Sequence, residues 1–115
     1  MSTPESKVKA RINSILSQAK NVWWFMPVQN GMGKATLDYI GAHCGHAFAI
    51  EAKAPGKLPT PRQMVTMQDM LKAGITVFIV DGTDQYPFEP LIQWFGFTSE
   101  VKDALEVFEI PYGVK

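Results

Sequence analysis

The sequence predicts an α/β domain in which helices flank a mixed β-sheet, in the order helix, three strands, helix, strand, with a helical C-terminal appendage. Three observations carry this expectation. Leu37–Ala54 reads as a hairpin about Cys44-Gly45. Thr3-Pro4 and Thr60-Pro61 are helix starts, each a hydroxyl cap followed by proline in the first turn. The second helix separates the hairpin from the apolar run Ile75–Val80, and a helical crossover between two strands favours parallel pairing. At 115 residues the chain is expected to form one domain.

Each element has a local reason. After Ser2-Thr3-Pro4-Glu5, the residues Val8, Ile12, Ile15, Leu16 and Ala19 recur at helical spacing as far as Asn21. Val22–Pro27, with Trp23, Trp24 and Phe25, reads as a strand, and Gln29–Lys34 as a glycine loop. Ala54–Pro59 is too rich in proline and glycine for regular structure, and Thr60-Pro61-Arg62-Gln63 is a capping box. Met64, Met67, Gln68 and Leu71 are expected on one side of the helix it opens, with Gly74 at its end. Ile75–Val80 is a strand bounded by Asp81-Gly82. The segment 84–97 is aromatic without a clear period, and Thr98 caps a last helix in which Val101, Ala104, Leu105 and Phe108 share a face.

The hairpin carries the chemistry. A two-residue turn at Cys44-Gly45 pairs Asp38 with Glu51, Tyr39 with Ile50, Ile40 with Ala49 and Gly41 with Phe48. Paired side chains share a face with Cβ atoms about 4.5–5.5 Å apart, so two carboxylates there repel unless a cation sits between them. Lys53, two residues beyond Glu51, is directed to the same face by the strand period. Oxygen ligands for a hard divalent cation beside a fixed positive group suit metal-assisted phosphodiester hydrolysis. Spacing alone also fits a solvated Glu/Lys strand edge, and a bulged three-residue loop would part the carboxylates.

The chain holds eleven basic and eleven acidic side chains. Residues 1–72 carry nine basic and four acidic groups and residues 73–115 two and seven, which suits an N-terminal part facing nucleic acid or ordinary solvated faces. One cysteine, Cys44, excludes an intramolecular disulfide. With a polar N-terminus and no run of membrane-spanning length, a soluble cytoplasmic protein with no membrane partner is expected. His43, Cys44 and His46 straddle the tight turn and are read as turn residues rather than a zinc site. Met64, Met67 and Met70 are read as core filling. Trp23 and Trp24 point to opposite faces, for sheet packing or, for one of them, stacking on a base.

Thr3-Pro4-Glu5, Asn30-Gly31-Met32-Gly33, Leu37-Asp38-Tyr39-Ile40-Gly41, Ala49–Gly56, Thr60-Pro61-Arg62-Gln63 and Ala73-Gly74 together resemble the stand-alone virus-type replication-repair nuclease (VRR-NUC) domains, a branch of the PD-(D/E)XK nucleases. The similarity spans about residues 3–82, and Leu37 stands where the family usually has proline. The resemblance implies a restriction-endonuclease-like fold, with residues 1–82 as catalytic core and 83–115 as appendage. It implies that Asp38 and Glu51 bind Mg²⁺ or Mn²⁺, that the Ala52 carbonyl completes the set and that Lys53 orients or activates water. It also brings Glu5 and Gln63 to the site from the first and second helices. Read alone, Glu5 also serves its helix dipole and Gln63 its capping box.

The activity so implied is cleavage of four-way junctions or other branched DNA by a phage-type homodimer in the host cytoplasm. The alternatives are the same chemistry on flap, nicked or foreign duplex DNA, a DNA-binding module that does not cut, and a structural protein with an aromatic C-terminal interface. Lys34, Lys57 and Arg62 flank the site as DNA-backbone contacts or as solvated charges. The dimer interface is expected near Tyr86–Phe97 and Val101–Phe108, where aromatic residues lack core periodicity.

Overall fold

A computed structural model describes residues 2–29 and 33–96. Helix α1 (Pro4–Gln18) leads into strands β1 (Val22–Phe25), β2 (Tyr39–His43) and β3 (His46–Ala52), followed by helix α2 (Pro61–Lys72) and strand β4 (Thr76–Val80). Residues 89–96 form a further helical segment, α3. The sheet order is β1-β2-β3-β4, with β1·β2 and β2·β3 antiparallel and β3·β4 parallel. The chain is therefore α/β, a four-stranded mixed sheet flanked by helices in the expected element order. Among the described residues no helix is long and apolar enough to cross a membrane.

The two helix starts behave as their sequences dictate. Thr3 caps α1 in a box closed by Ser6, and Thr60 caps α2 in a box closed by Gln63. Helix α1 stops at Gln18, three residues short of the expected Asn21, because Ala19 is already extended and Asn21 turns the chain with φ 56°. Strand β1 likewise ends at Phe25 rather than Pro27, since proline has no N–H for the ladder.

The hairpin register follows from its turn. Cys44 and Gly45 both have positive φ (54° and 81°), the conformation that matches the right-handed twist of two strands joined by two residues. His43 then pairs with His46, Gly41 with Phe48 and Tyr39 with Ile50. Gly41 leaves no room for a side chain: a Cβ there would run into the Trp23 carbonyl oxygen and lie 2.8 Å from Phe48 Cζ.

Each face of the sheet has its own core. On one, Val8, Ile12 and Leu16 of α1 and Leu91 and Phe95 of α3 pack against Tyr39, Phe48, Ile50 and Val80. Burying each large apolar side chain contributes about 1.5–3 kcal/mol. On the other, Leu37, Ala49 and Met67 form a smaller cluster that Ile40, Met70, Val77 and Ile79 flank. Helix α2 is turned from the expected orientation. Gln63, Thr66, Met67 and Met70 face inward, while Met64, Gln68 and Leu71 are exposed.

The C-terminal aromatics also differ from expectation. Phe95 and Leu91 are buried, and Phe88 and Trp94 pack on the same core. These side chains cover the sheet of their own chain and are not the free apolar patch from which an interface near Tyr86–Phe97 was inferred. The proposed final helix, Val101–Phe108, lies outside the described residues. His43 is a core residue at the end of β2, with its ring nitrogens 3.3 Å from the Asn21 carbonyl oxygen and 3.2 Å from that of Phe95.

Candidate active site

The register that places Tyr39 opposite Ile50 brings Asp38, one residue before β2, to the level of Glu51 in β3. Leu37 anchors that approach: it is fully buried and clusters with Met67 of α2. Asp38 Oδ2 accepts a 2.9 Å hydrogen bond from the Ala52 N–H, which ties the first carboxylate to the strand carrying the second. Ala52 thus contributes its amide to holding Asp38.

Glu51 is only 3% exposed. Its Oε2 accepts a 2.8 Å hydrogen bond from Gln63 Nε2 and lies 3.7 Å from Lys53 Nζ. Gln63 has two functions at once, because its Oε1 accepts from the Thr60 N–H at 2.9 Å and closes the capping box. An amide has both an acceptor oxygen and two donor hydrogens, so one side chain can start the helix and hold the carboxylate.

The electrostatics follow from burial. Glu51 is pushed up to about 7, first by desolvation and then by the charge of Asp38, against the lowering effects of Lys53 and the Asp38 N–H. Asp38 is also raised, mainly by burial, although the Ala52 N–H and Lys9 act in the opposite direction. Two opposed carboxylates are thus held in a setting that disfavours their full ionisation, and a cation between them would relieve both penalties.

The remaining expected residues take different places. Glu5 is paired with Lys9 at 3.2 Å, and Lys9 Nζ reaches to 3.9 Å from Asp38 Oδ1. Glu5 therefore approaches the site through Lys9, and among the described residues no three Asp, Glu, His or Cys side chains converge as a metal-binding group. The donor set nonetheless fits a hard cation. Mg²⁺ is commonly held by one or two carboxylates, with water and substrate phosphate filling the rest of its octahedron. Lys34, Arg62 and Gln63 line a shared cavity beside the site. Lys57 is exposed on the turn Ala54–Lys57, closed by a 2.9 Å bond from its N–H to the Ala54 carbonyl and formed around Pro55 and Gly56.

Two contributors escaped the sequence reading. Lys9 stands four residues after Glu5 on α1, so helical spacing alone could have paired them. Asp81 is buried at the end of β4, where its carboxylate accepts from the Thr83 N–H and hydroxyl, each at 2.7 Å, and from the Gly56 N–H at 3.1 Å. Burial raises its pKa, but these donors outweigh it and hold the carboxyl below its usual value. Asp81 thereby clamps the turn that follows Lys53. An Asp-Gly pair after a strand signals a turn; nothing local to it indicates a partner 25 residues earlier.

Among the described residues Trp23 is 67% exposed, and its ring lies 5.4 Å from that of Phe25 on the same face of β1, whereas Trp24 packs on Tyr39. No protein-family model, curated protein or solved structure matches this chain.

Proposed function

We propose that this protein is a divalent-metal-dependent endonuclease that hydrolyses phosphodiester bonds in four-way junctions or other branched DNA, acting as a homodimer. The observation that supports it most is the buried Glu51 at the level of Asp38, flanked by Lys53 and held by Gln63. Opposed, desolvated carboxylates cost stability in a protein that has no cation to place between them. The sequence resemblance to VRR-NUC nucleases points to the same residues. Two copies related by a two-fold axis would offer two such sites to a symmetric junction.

In this reading Asp38 and Glu51 would hold Mg²⁺ or Mn²⁺, which when bound would supply neutralisation of phosphate charge and a more acidic water. Lys53 orients that water or stabilises the negative charge that develops on the phosphate. Gln63 fixes the Glu51 carboxylate in one orientation, and the Ala52 N–H does the same for Asp38. Lys34, Arg62 and Lys57 bind the DNA backbone on either side.

The test is incubation of purified protein with four-way junction, flap, nicked and linear DNA, with and without Mg²⁺ or Mn²⁺, beside a Glu51→Gln control. Metal-dependent cutting of the branched substrates by the wild type alone is expected. Binding without cutting under every metal condition would remove the enzymatic reading and leave a DNA-binding module.

A further inference from the structure

A cavity of about 250 Å³ opens between the segment before β2 and the first turns of α2, lined by Lys34, Thr36, Thr60, Arg62, Gln63 and Thr66. Its volume lies below the roughly 300–1,000 Å³ of drug-sized ligand pockets, so it suits a small group rather than a whole extended ligand. Its lining is rich in donors. Lys34 and Arg62 are exposed and have no ion-pair partner among the described residues. Thr60 Oγ1 accepts from the Gln63 N–H at 3.1 Å, which leaves its own proton free to be donated. The Thr66 hydroxyl already donates to the Arg62 carbonyl at 3.2 Å, so the donors left are two cations and the Thr60 hydroxyl; they call for an anion with several acceptor oxygens, and phosphate is the group that matches.

The cavity and the carboxylates share one side chain. Gln63 lines the cavity, and its Nε2 is 2.8 Å from Glu51 Oε2. An anion seated there lies one side chain from the proposed cutting site, and successive phosphates are the regularly spaced anions of a DNA strand. We propose that this cavity is a backbone-phosphate subsite that seats the phosphodiester next to the one cut. The assignment rests on the nuclease reading for the identity of the strand, while the phosphate chemistry stands on the lining itself. Lys34 and Arg62 are then contacts that set register along the strand, carrying affinity rather than base recognition.

The experiment titrates the full chain, in EDTA, with thymidine 3′,5′-bisphosphate, followed by amide NMR shifts and calorimetry. The largest shifts are expected at Thr36, Arg62, Gln63 and Thr66. Lys34→Ala and Arg62→Ala should each weaken binding roughly tenfold, the loss of one charge-assisted contact. Lys72→Ala, which removes the same charge from the far end of α2, should leave the affinity unchanged. For junction DNA, each cavity variant should lower the slope of log affinity against log salt by about one. Shifts mapping elsewhere, or cavity variants that bind the bisphosphate as tightly as Lys72→Ala, would overturn the subsite. The two readings fail separately. Junction cutting without bisphosphate at this cavity removes the subsite and keeps the nuclease, while bisphosphate binding there without cutting of any DNA does the reverse.

Discussion

Replacing Glu51 by glutamine should make the metal-free protein more stable at alkaline pH, and the size of the gain follows from the site. Glu51 titrates near 7 in the folded chain against an ordinary value of 4.5, because burial and the charge of Asp38 oppose its ionisation. A group whose folded pKa is raised contributes stability that is full below its unfolded pKa and is lost as pH rises through the folded one. The loss therefore runs from about pH 4.5 to just above pH 7, and that gap at about 1.36 kcal/mol per pH unit is worth about 3 kcal/mol. Glutamine has no charge to desolvate, and its carbonyl oxygen still accepts from Gln63 Nε2. In urea denaturation in EDTA, Glu51→Gln and wild type should be nearly equal at pH 4.5. At pH 8 the variant should be ahead by about 2–3 kcal/mol, or on the order of 10 °C in melting temperature for a domain of this size. Taking the difference between the two proteins cancels the titration of groups away from residue 51, including the buried His43, whereas Asp38, whose charge acts on Glu51, titrates together with it. Mg²⁺ at about 100 times its Kd should return about 2.7 kcal/mol to the wild type at pH 8 and far less to the variant. A stability difference that does not change between pH 4.5 and 8, or a variant weaker than wild type at pH 8, would refute the argument from desolvated carboxylates.

Lys53→Ala should lower single-turnover cleavage of a four-way junction by about 10²–10³-fold at saturating Mg²⁺, the usual scale for one electrostatic group at a reacting phosphate; near-normal rates would remove its assigned role. Gln63→Ala loses the Gln63 half of the capping box and the Glu51 contact while the Thr60 cap keeps its backbone donor, and should cost about 1–2 kcal/mol in denaturation. Gln63→Glu keeps the acceptor for the Thr60 N–H but sets a further carboxylate beside Glu51, so its stability should fall more steeply with rising pH than that of Gln63→Ala. Gly41→Ala forces a methyl against the Trp23 carbonyl, Trp24 Cα and Phe48 Cζ, two of them backbone atoms that cannot turn aside. It should cost about 3 kcal/mol or prevent folding, and a melting temperature within a few degrees of wild type would contradict the close β1·β2 approach. Light scattering at micromolar concentration should give the mass of two chains, and a persistent single-chain mass would remove the paired-cut mechanism.

Local chemistry was enough to read the order of elements, both helix starts and the hairpin register. Thr-Pro caps act within three residues, and a two-residue turn fixes every pairing along its strands, so Asp38 and Glu51 could be matched by counting. The parallel partnership of β3 with β4 followed from the crossover helix between them. Which side of α2 faces the sheet did not follow from its apolar pattern. Met64, Val65, Met67, Met70 and Leu71 spread too widely round it to mark one face, and the Thr60 cap and the Gln63–Glu51 bond fix its rotation. Tertiary structure alone decided that Phe88, Trp94 and Phe95 cover their own sheet, that His43 joins them, and that Asp81 clamps the turn after Lys53. It also decided that the Glu5–Lys9 pair of α1 lies beside Asp38, with no three-acid cluster among the described residues. The division has one physical reason. Hydrogen bonds of caps and turns close within a few residues and are therefore written in consecutive letters, whereas burial and ion pairing depend on which distant segments share the same volume.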